Sequence, residues 1–266
     1  MDLDAIKQKL SAMQNKGGKQ GNGERKEMFW RPTVGKHTIR IVPSKFNKSM
    51  PFTEMYFHYG IDKPVMVSPI NFSEKDPIVE FAKQLRQTTD PQNWKLAKKI
   101  EPKARYFAPV VIRGEEDKGV RLWQFGKEVY ETFLQMAVDE EVGDFTDVMS
   151  GRDIKVTTVE GNPYNRTTVA PSMKNSATGE SDQVQEWLDN QPNPMEVFKR
   201  YSFEEMKQSL QNWLNPEAEE GAIIDDEKEE EAPQTNYSLN TSANAVKQSK
   251  LDKFDSLFEE DDDLPF

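Results

Sequence analysis

The chain has 266 residues, a net charge of −11 and no cysteine. Without Cys it can have no disulfide, thiolate nucleophile, iron–sulfur cluster or thiolate zinc site, and two His leave little for an imidazole metal centre. Apolar residues reach only 35% against 30% charged, so part of the chain is expected to stay unfolded.

The charge is unevenly spread. Residues 1–130 carry 24 Lys+Arg against 15 Asp+Glu, or +9. Residues 131–213 carry 7 against 15, and residues 214–266 carry 4 against 16, giving −8 and −12. A basic first half with an acidic end fits an anion-binding domain with an acidic tail, or an ordinary globule with a solvated acidic end. The longest apolar run, Phe107 to Ile112, contains Pro109. The absence of a bilayer-length segment or an N-terminal signal core predicts a soluble, cytoplasmic protein.

Residues 3–13 space Leu3, Ile6 and Leu10 as in an amphipathic helix. A Gly-rich basic stretch follows over 15–27, and order is expected from Phe29. The runs 37–43, 52–59 and 64–68 predict strands. Asp76-Pro77 opens a helix with Ile78, Phe81, Ala82 and Leu85 on its apolar face. A second, basic helix spans 92–100. Residues 104–113 and 119–125 flank a charged turn and predict a hairpin. A helix over 127–138 places Val129, Phe133, Met136 and Ala137 on one face. A second hairpin pairs 152–159 with 166–171, and helices follow near 181–189 and 202–214. Strands, hairpins and an intervening helix predict a mainly β chain with α: a five-stranded OB-fold barrel with helical additions. The expected organisation is an N-terminal helix and basic arm for self-assembly over 1–28, the OB-fold core over 29–214, and a disordered acidic tail over 215–266.

No catalytic constellation is present. There is no P-loop, no G-x-S-x-G elbow and no H-E-x-x-H, so no enzyme and no cofactor or metal site is expected. Asp225-Asp226-Glu227 has the oxygen ligands for Mg²⁺, but a run of charge in a polar tail is the simpler explanation.

What is present suits single-stranded nucleic acid. Alternation puts Arg105, Phe107, Val111 and Arg113 on one face of the first hairpin strand and Tyr106, Ala108, Val110 and Ile112 on the other. On the return strand Arg121, Trp123, Phe125 and Lys127 share a face. Rings stack bases while cations neutralise phosphates. The alternative makes Phe107, Trp123 and Phe125 core residues, with Trp123 the better stacking candidate. Tyr106 faces the apolar side unless a bulge re-aims it, and Tyr164 sits on a turn as a stacking ring or a plain turn residue. Lys95, Lys98, Lys99, Lys103 and Arg105 form a basic run for phosphate contact or a solvated helix face. At the C-terminus, five acidic residues precede Leu264-Pro265-Phe266, and Leu251, Phe254, Leu257 and Phe258 have helical spacing. Asp261, Asp262, Asp263, Leu264, Pro265 and Phe266 are the expected partner-binding tip, acidic with a terminal aromatic.

The segments IRIVPSK (39–45), PF with H-Y-G (51–60), RYFAPVVI and FGKEVYETF (125–133) occur in an order that resembles the helix-destabilising, single-stranded-DNA-binding protein family of large tailed phages. The resemblance covers about residues 1–215. It implies an OB-fold core that coats single-stranded DNA in replication, recombination and repair. By family position, Tyr106 and Trp123 stack bases, Tyr164 lies along the DNA path and Lys103 contacts phosphate. The final DDDLPF is similar to the tip of bacterial single-stranded-DNA-binding proteins. That likeness implies recruitment of phage proteins such as a polymerase, helicase loader or recombinase mediator. Two departures stand out: the family's zinc subdomain uses three Cys and one His, and only His58 remains here; and the basic-Ser/Thr cooperativity run is replaced by MDLDAIKQKLSAM. An interaction scaffold, an RNA-binding OB protein and a metal-dependent nuclease are the rival readings.

Overall fold

The computed structural model describes residues 27–214. The helix expected over 3–13, nearly all of the basic arm and the acidic tail with Asp261–Phe266 lie outside the described residues. The described chain divides into two compact units: residues up to Met55 with Ala104–Phe198, and Tyr56–Lys103 with residues from Lys199 onward. Each unit has apolar packing of its own, two clusters in the first and one in the second.

Eight strands build a mixed sheet: β1 (Phe29–Trp30), β2 (Gly35–Ile41), β3 (Thr53–Ile61), β4 (Lys63–Val67), β5 (Lys103–Ile112), β6 (Arg121–Phe125), β7 (Arg152–Val159) and β8 (Arg166–Asn175). The hydrogen-bonded order is β1-β6-β5-β2-β7-β8, and β3 pairs with β5 and β4. The expected five-stranded closed barrel is therefore corrected to an open sheet. Closure needs the first and last strands to meet in register. Here β1 is two residues long and stops before Pro32, which has no N–H to donate to a ladder. The ladder β1–β6 is parallel, while β2–β5, β2–β7, β5–β6 and β7–β8 are antiparallel.

In the first unit, β5 is the central strand and is buried on both faces from Tyr106 to Ile112. Tyr106, Ala108, Val110 and Ile112 face the main cluster with Ile39, Ile41, Trp123 and Phe133. Val111 faces the other way, against Val42, Val184 and Trp187. Phe107 packs edge-on to Phe29 and Phe198. The helix Lys127–Val138 (to be called α3) buries Val129, Phe133 and Met136 as expected, but leaves Ala137 exposed at its last turn. The helix Ser181–Asp189 (α4) buries Val184 and Trp187, and a short helix Pro194–Val197 (α5) follows.

Arg40 is fully buried in β2. Its guanidinium donates to Thr178 Oγ1 (3.1 Å), to the carbonyls of Asp147 and Ser176, and to Asp153 Oδ1 (3.4 Å). A buried charge is tolerated because it is paired and hydrogen-bonded.

The second unit packs α1 (Pro77–Gln87), α2 (Pro91–Ile100) and α6 (Phe203–Leu214) around Ile61 and Met66. Asp76 caps α1, accepting from Ile78 N and Val79 N. Its other oxygen takes Ser68 Oγ–H and lies 2.9 Å from His58 Nε2. His58 Nδ1 is 2.7 Å from the Ile100 carbonyl. Burial would raise the Asp76 carboxyl, but the hydrogen bond and charge of His58, with Ser68 and Val79 N–H, hold it below the usual carboxylate range. Both ring nitrogens of His58 are committed to oxygen atoms, and no cluster of three or more His, Cys, Asp or Glu suited to a metal exists among the described residues. The residues present do not fit the zinc ion of the resembling family. No helix among the described residues is long and apolar enough to cross a membrane.

Candidate nucleic-acid interface

The end of β6, the start of α3 and the turn before β8 enclose a groove of about 1080 Å³ on the first unit. Its lining brings together four residues expected from the sequence: Arg105, Trp123, Lys127 and Tyr164. Arg105 enters from the first residues of β5. Phe125 ends β6 beside Tyr106, and Gly126 turns the chain into α3 in an extended conformation. Gly126 offers no side-chain oxygen to cap the helix, so the first-turn N–H groups are left to an outside acceptor. Lys127 stands at that N-terminus, where the helix dipole disfavours a cation. Its side chain is 76% exposed and pairs with the exposed Glu131 at 3.4 Å. Tyr164 is 84% exposed on the turn between β7 and β8. The shape of that turn depends on Gly161, where any Cβ would fall 2.3 Å from the Tyr164 carbonyl oxygen.

Arg166, at the start of β8, is a lining cation that the sequence analysis passed over. Its signal was its place two residues after Tyr164, at the foot of the same turn. The groove thus holds Arg105, Lys127 and Arg166 against one carboxylate, Glu128. An exposed ring among cations with an uncapped helix start suits a phosphodiester strand with a base to stack.

Several expected contact residues are buried or already paired outside this groove. Trp123 lines the groove floor but is only 1% exposed. Its ring meets Trp30 at 5.3 Å, Phe125 at 4.9 Å and Phe133 at 5.9 Å, so its faces are taken. Cross-strand partners share a sheet face, and the register Ala108↔Trp123 turns Trp123 toward the core. Tyr106 is buried too. Its ring stacks on Tyr130 at 3.9 Å, and its hydroxyl donates to Glu54 Oε1 at 3.3 Å. Its ladder to β6 runs in unbroken register from Tyr106 to Val110. Arg113 is drawn into the Arg40 network. It donates to Asp153 at 2.8 Å and to the carbonyls of Thr178 and Ala177, a latch on that segment and not a groove cation. Arg121 lines a neighbouring pocket and donates to Glu115 at 2.6 Å.

The remaining cations belong to the second unit. Lys98 and Lys99 end α2, where cations also complement the helix dipole. Lys103 Nζ donates to the Lys98 carbonyl at 2.8 Å, and Lys99 Nζ sits 5.0 Å from the Trp213 ring centre. Trp94, one turn before Lys98, is 51% exposed, its indole N–H donating to the Thr88 carbonyl and the Arg86 guanidinium 5.4 Å from its ring. This ring was also missed. Its signal was the i, i+4 spacing of Trp94 and Lys98 within a basic helix. Arg86 in turn forks onto Glu101, which lowers the Glu101 carboxyl.

No curated protein matches the chain. A family model described as gp32 DNA binding protein like matches residues 33–215.

Proposed function

The chain belongs to the gp32-like DNA-binding protein family, phage-type single-stranded-DNA-binding proteins, and from that premise we propose that it coats single-stranded DNA during replication, recombination and repair. The observation that carries the reading is the groove on the first unit, where Arg105, Lys127 and Arg166 surround the exposed Tyr164. Cations give sequence-independent affinity and the ring accepts any base, the combination a coating protein needs. The family is one of DNA-binding proteins rather than enzymes, so the protein acts by holding the strand. Its topology is an open variant of an OB-type sheet. Lys98, Lys99, Lys103 and Trp94 supply further phosphate and base contacts.

The acidic C-terminal residues recruit replication and recombination proteins through Asp261–Phe266, and residues 1–28 mediate self-association on DNA. The support is chemical: five consecutive carboxylates before Leu-Pro-Phe offer charge and an aromatic anchor to a basic, apolar-lined partner site. The protein works in the cytoplasm of the host cell, where the replicating DNA is.

A fluorescence titration with dT and rU oligomers at low and high salt tests the proposal. Tight, salt-sensitive dT binding with weaker rU binding is the expected result. Equal affinity for both would favour an RNA-binding role. Absence of binding to either would leave a scaffold.

A further inference from the structure

Beside the groove, on the same unit, lies a second concavity of about 660 Å³. The two share Gln124, and the segment after β1 divides between them. Pro32 lines the groove, whereas Arg31 and Thr33 line the second pocket. Trp30, which lines the pocket, pairs across the β1–β6 ladder with Trp123, which lines the groove, and their indoles meet edge to face. A strand leaving the groove past Gln124 therefore enters this pocket next.

The pocket is built for an anion. Arg31, Lys118 and Arg121 line it against one carboxylate, Glu115. Glu115 Oε2 accepts from Lys118 Nζ at 3.0 Å and from Arg121 Nη2 at 2.6 Å. Those two hydrogen bonds, Lys118 first, hold the Glu115 carboxyl below its usual range. The Arg121 side chain is only 11% exposed, and its Nε is buried with no hydrogen-bond partner among the described residues. The guanidinium is thus fixed in place and short of one acceptor. A carboxylate on two converging cations fills the position that a phosphate oxygen takes.

We propose that this pocket is a second phosphate site that continues the single-stranded-DNA track beyond Gln124, with Glu115 as its resident stand-in until a phosphate displaces it. The proposal rests on the single-stranded-DNA reading of the groove. The Lys118–Glu115 half of the arrangement holds weakly because both groups are exposed, and the Arg121 bond at 2.6 Å is the one a phosphate oxygen must replace. The arriving phosphate also releases counterions, which the internal carboxylate does not. An acidic peptide is the other anion with the right charge, but the shared Gln124 and the adjoining Trp30 and Trp123 favour the strand.

The test uses the full chain with oligo-dT of about 4 and about 12 nucleotides, spanning the site sizes of such folds. Glu115→Gln should tighten binding of the longer oligomer while keeping its log K against log salt slope, and leave the shorter one unchanged. Arg31→Ala and Lys118→Ala should each flatten the longer oligomer's slope by about 0.7 and spare the shorter. Equal effects on both lengths would reduce Glu115 to a general electrostatic influence and overturn the site. So would a Lys118→Ala variant with an unchanged DNA slope and weaker binding of a peptide of residues 251–266. A wild-type chain that binds neither oligomer sinks the parent reading and the pocket together. A wild-type chain that binds both, with variants indistinguishable from it, sinks the pocket alone.

Discussion

Tyr164→Ala and Trp123→Ala are expected to fail in opposite ways. Tyr164 is 84% exposed at the groove edge, so its removal leaves no cavity and changes folding stability by less than about 0.5 kcal/mol. If it stacks a base, its loss costs about 1–3 kcal/mol of binding, or about 5- to 140-fold in Kd. Trp123 is 1% exposed and edge-on to Trp30 and Phe133. Truncating it leaves a large hole between β6 and α3 and costs about 3–5 kcal/mol of stability. That is a large share of the roughly 5–15 kcal/mol available to a domain. Urea unfolding and oligo-dT titration on both variants measure the two quantities. Normal unfolding with lost DNA affinity in Trp123→Ala, together with unchanged affinity in Tyr164→Ala, would refute the assignment and return Trp123 to the DNA face.

The three groove cations alone contribute about −2 to the log–log salt slope on single strands, further phosphate contacts steepen it, and a slope near zero would remove the electrostatic groove. The Asp76 carboxyl, lowered on folding, contributes stability above its ordinary value of 3.8 that is lost as pH falls through the folded value. Hydrogen-exchange protection in the second unit should therefore fall below about pH 3.8, and Asp76→Asn should reduce that loss; an identical acid profile in the variant would contradict it. EDTA should leave the melting temperature unchanged, since His58 is bonded to Asp76 and Ile100; stoichiometric zinc by elemental analysis would reverse this. Deleting residues 216–266 should tighten DNA binding most at low salt, because a tethered tail competes at an effective concentration of about millimolar. Unchanged affinity would reduce the tail to a tether for partners.

Local signals in the sequence determined the elements themselves. Asp76-Pro77 opens a helix wherever it sits, because Asp caps two N–H groups and Pro gives none up. The spacing of Ile78, Phe81, Ala82 and Leu85 names the buried face for the same local reason. The hairpin 103–125 and the helix 127–138 were legible in this way, as was the charged, ring-bearing stretch that became the groove.

Tertiary structure alone decided which rings face solvent. Alternation separates Tyr106 from Phe107, but it cannot tell that β5 is covered on both sides, by the main cluster on one and by Val184, Trp187 and Phe198 on the other. Nor does it reveal that Arg113 is consumed by Asp153, forty residues along the chain. The closed barrel failed on a long-range condition as well, since closure depends on the pairing of β1 and β8. Burial, ion-pair choice and sheet closure depend on partners distant in sequence. Capping and periodicity depend on neighbours within four residues, and those a sequence displays directly.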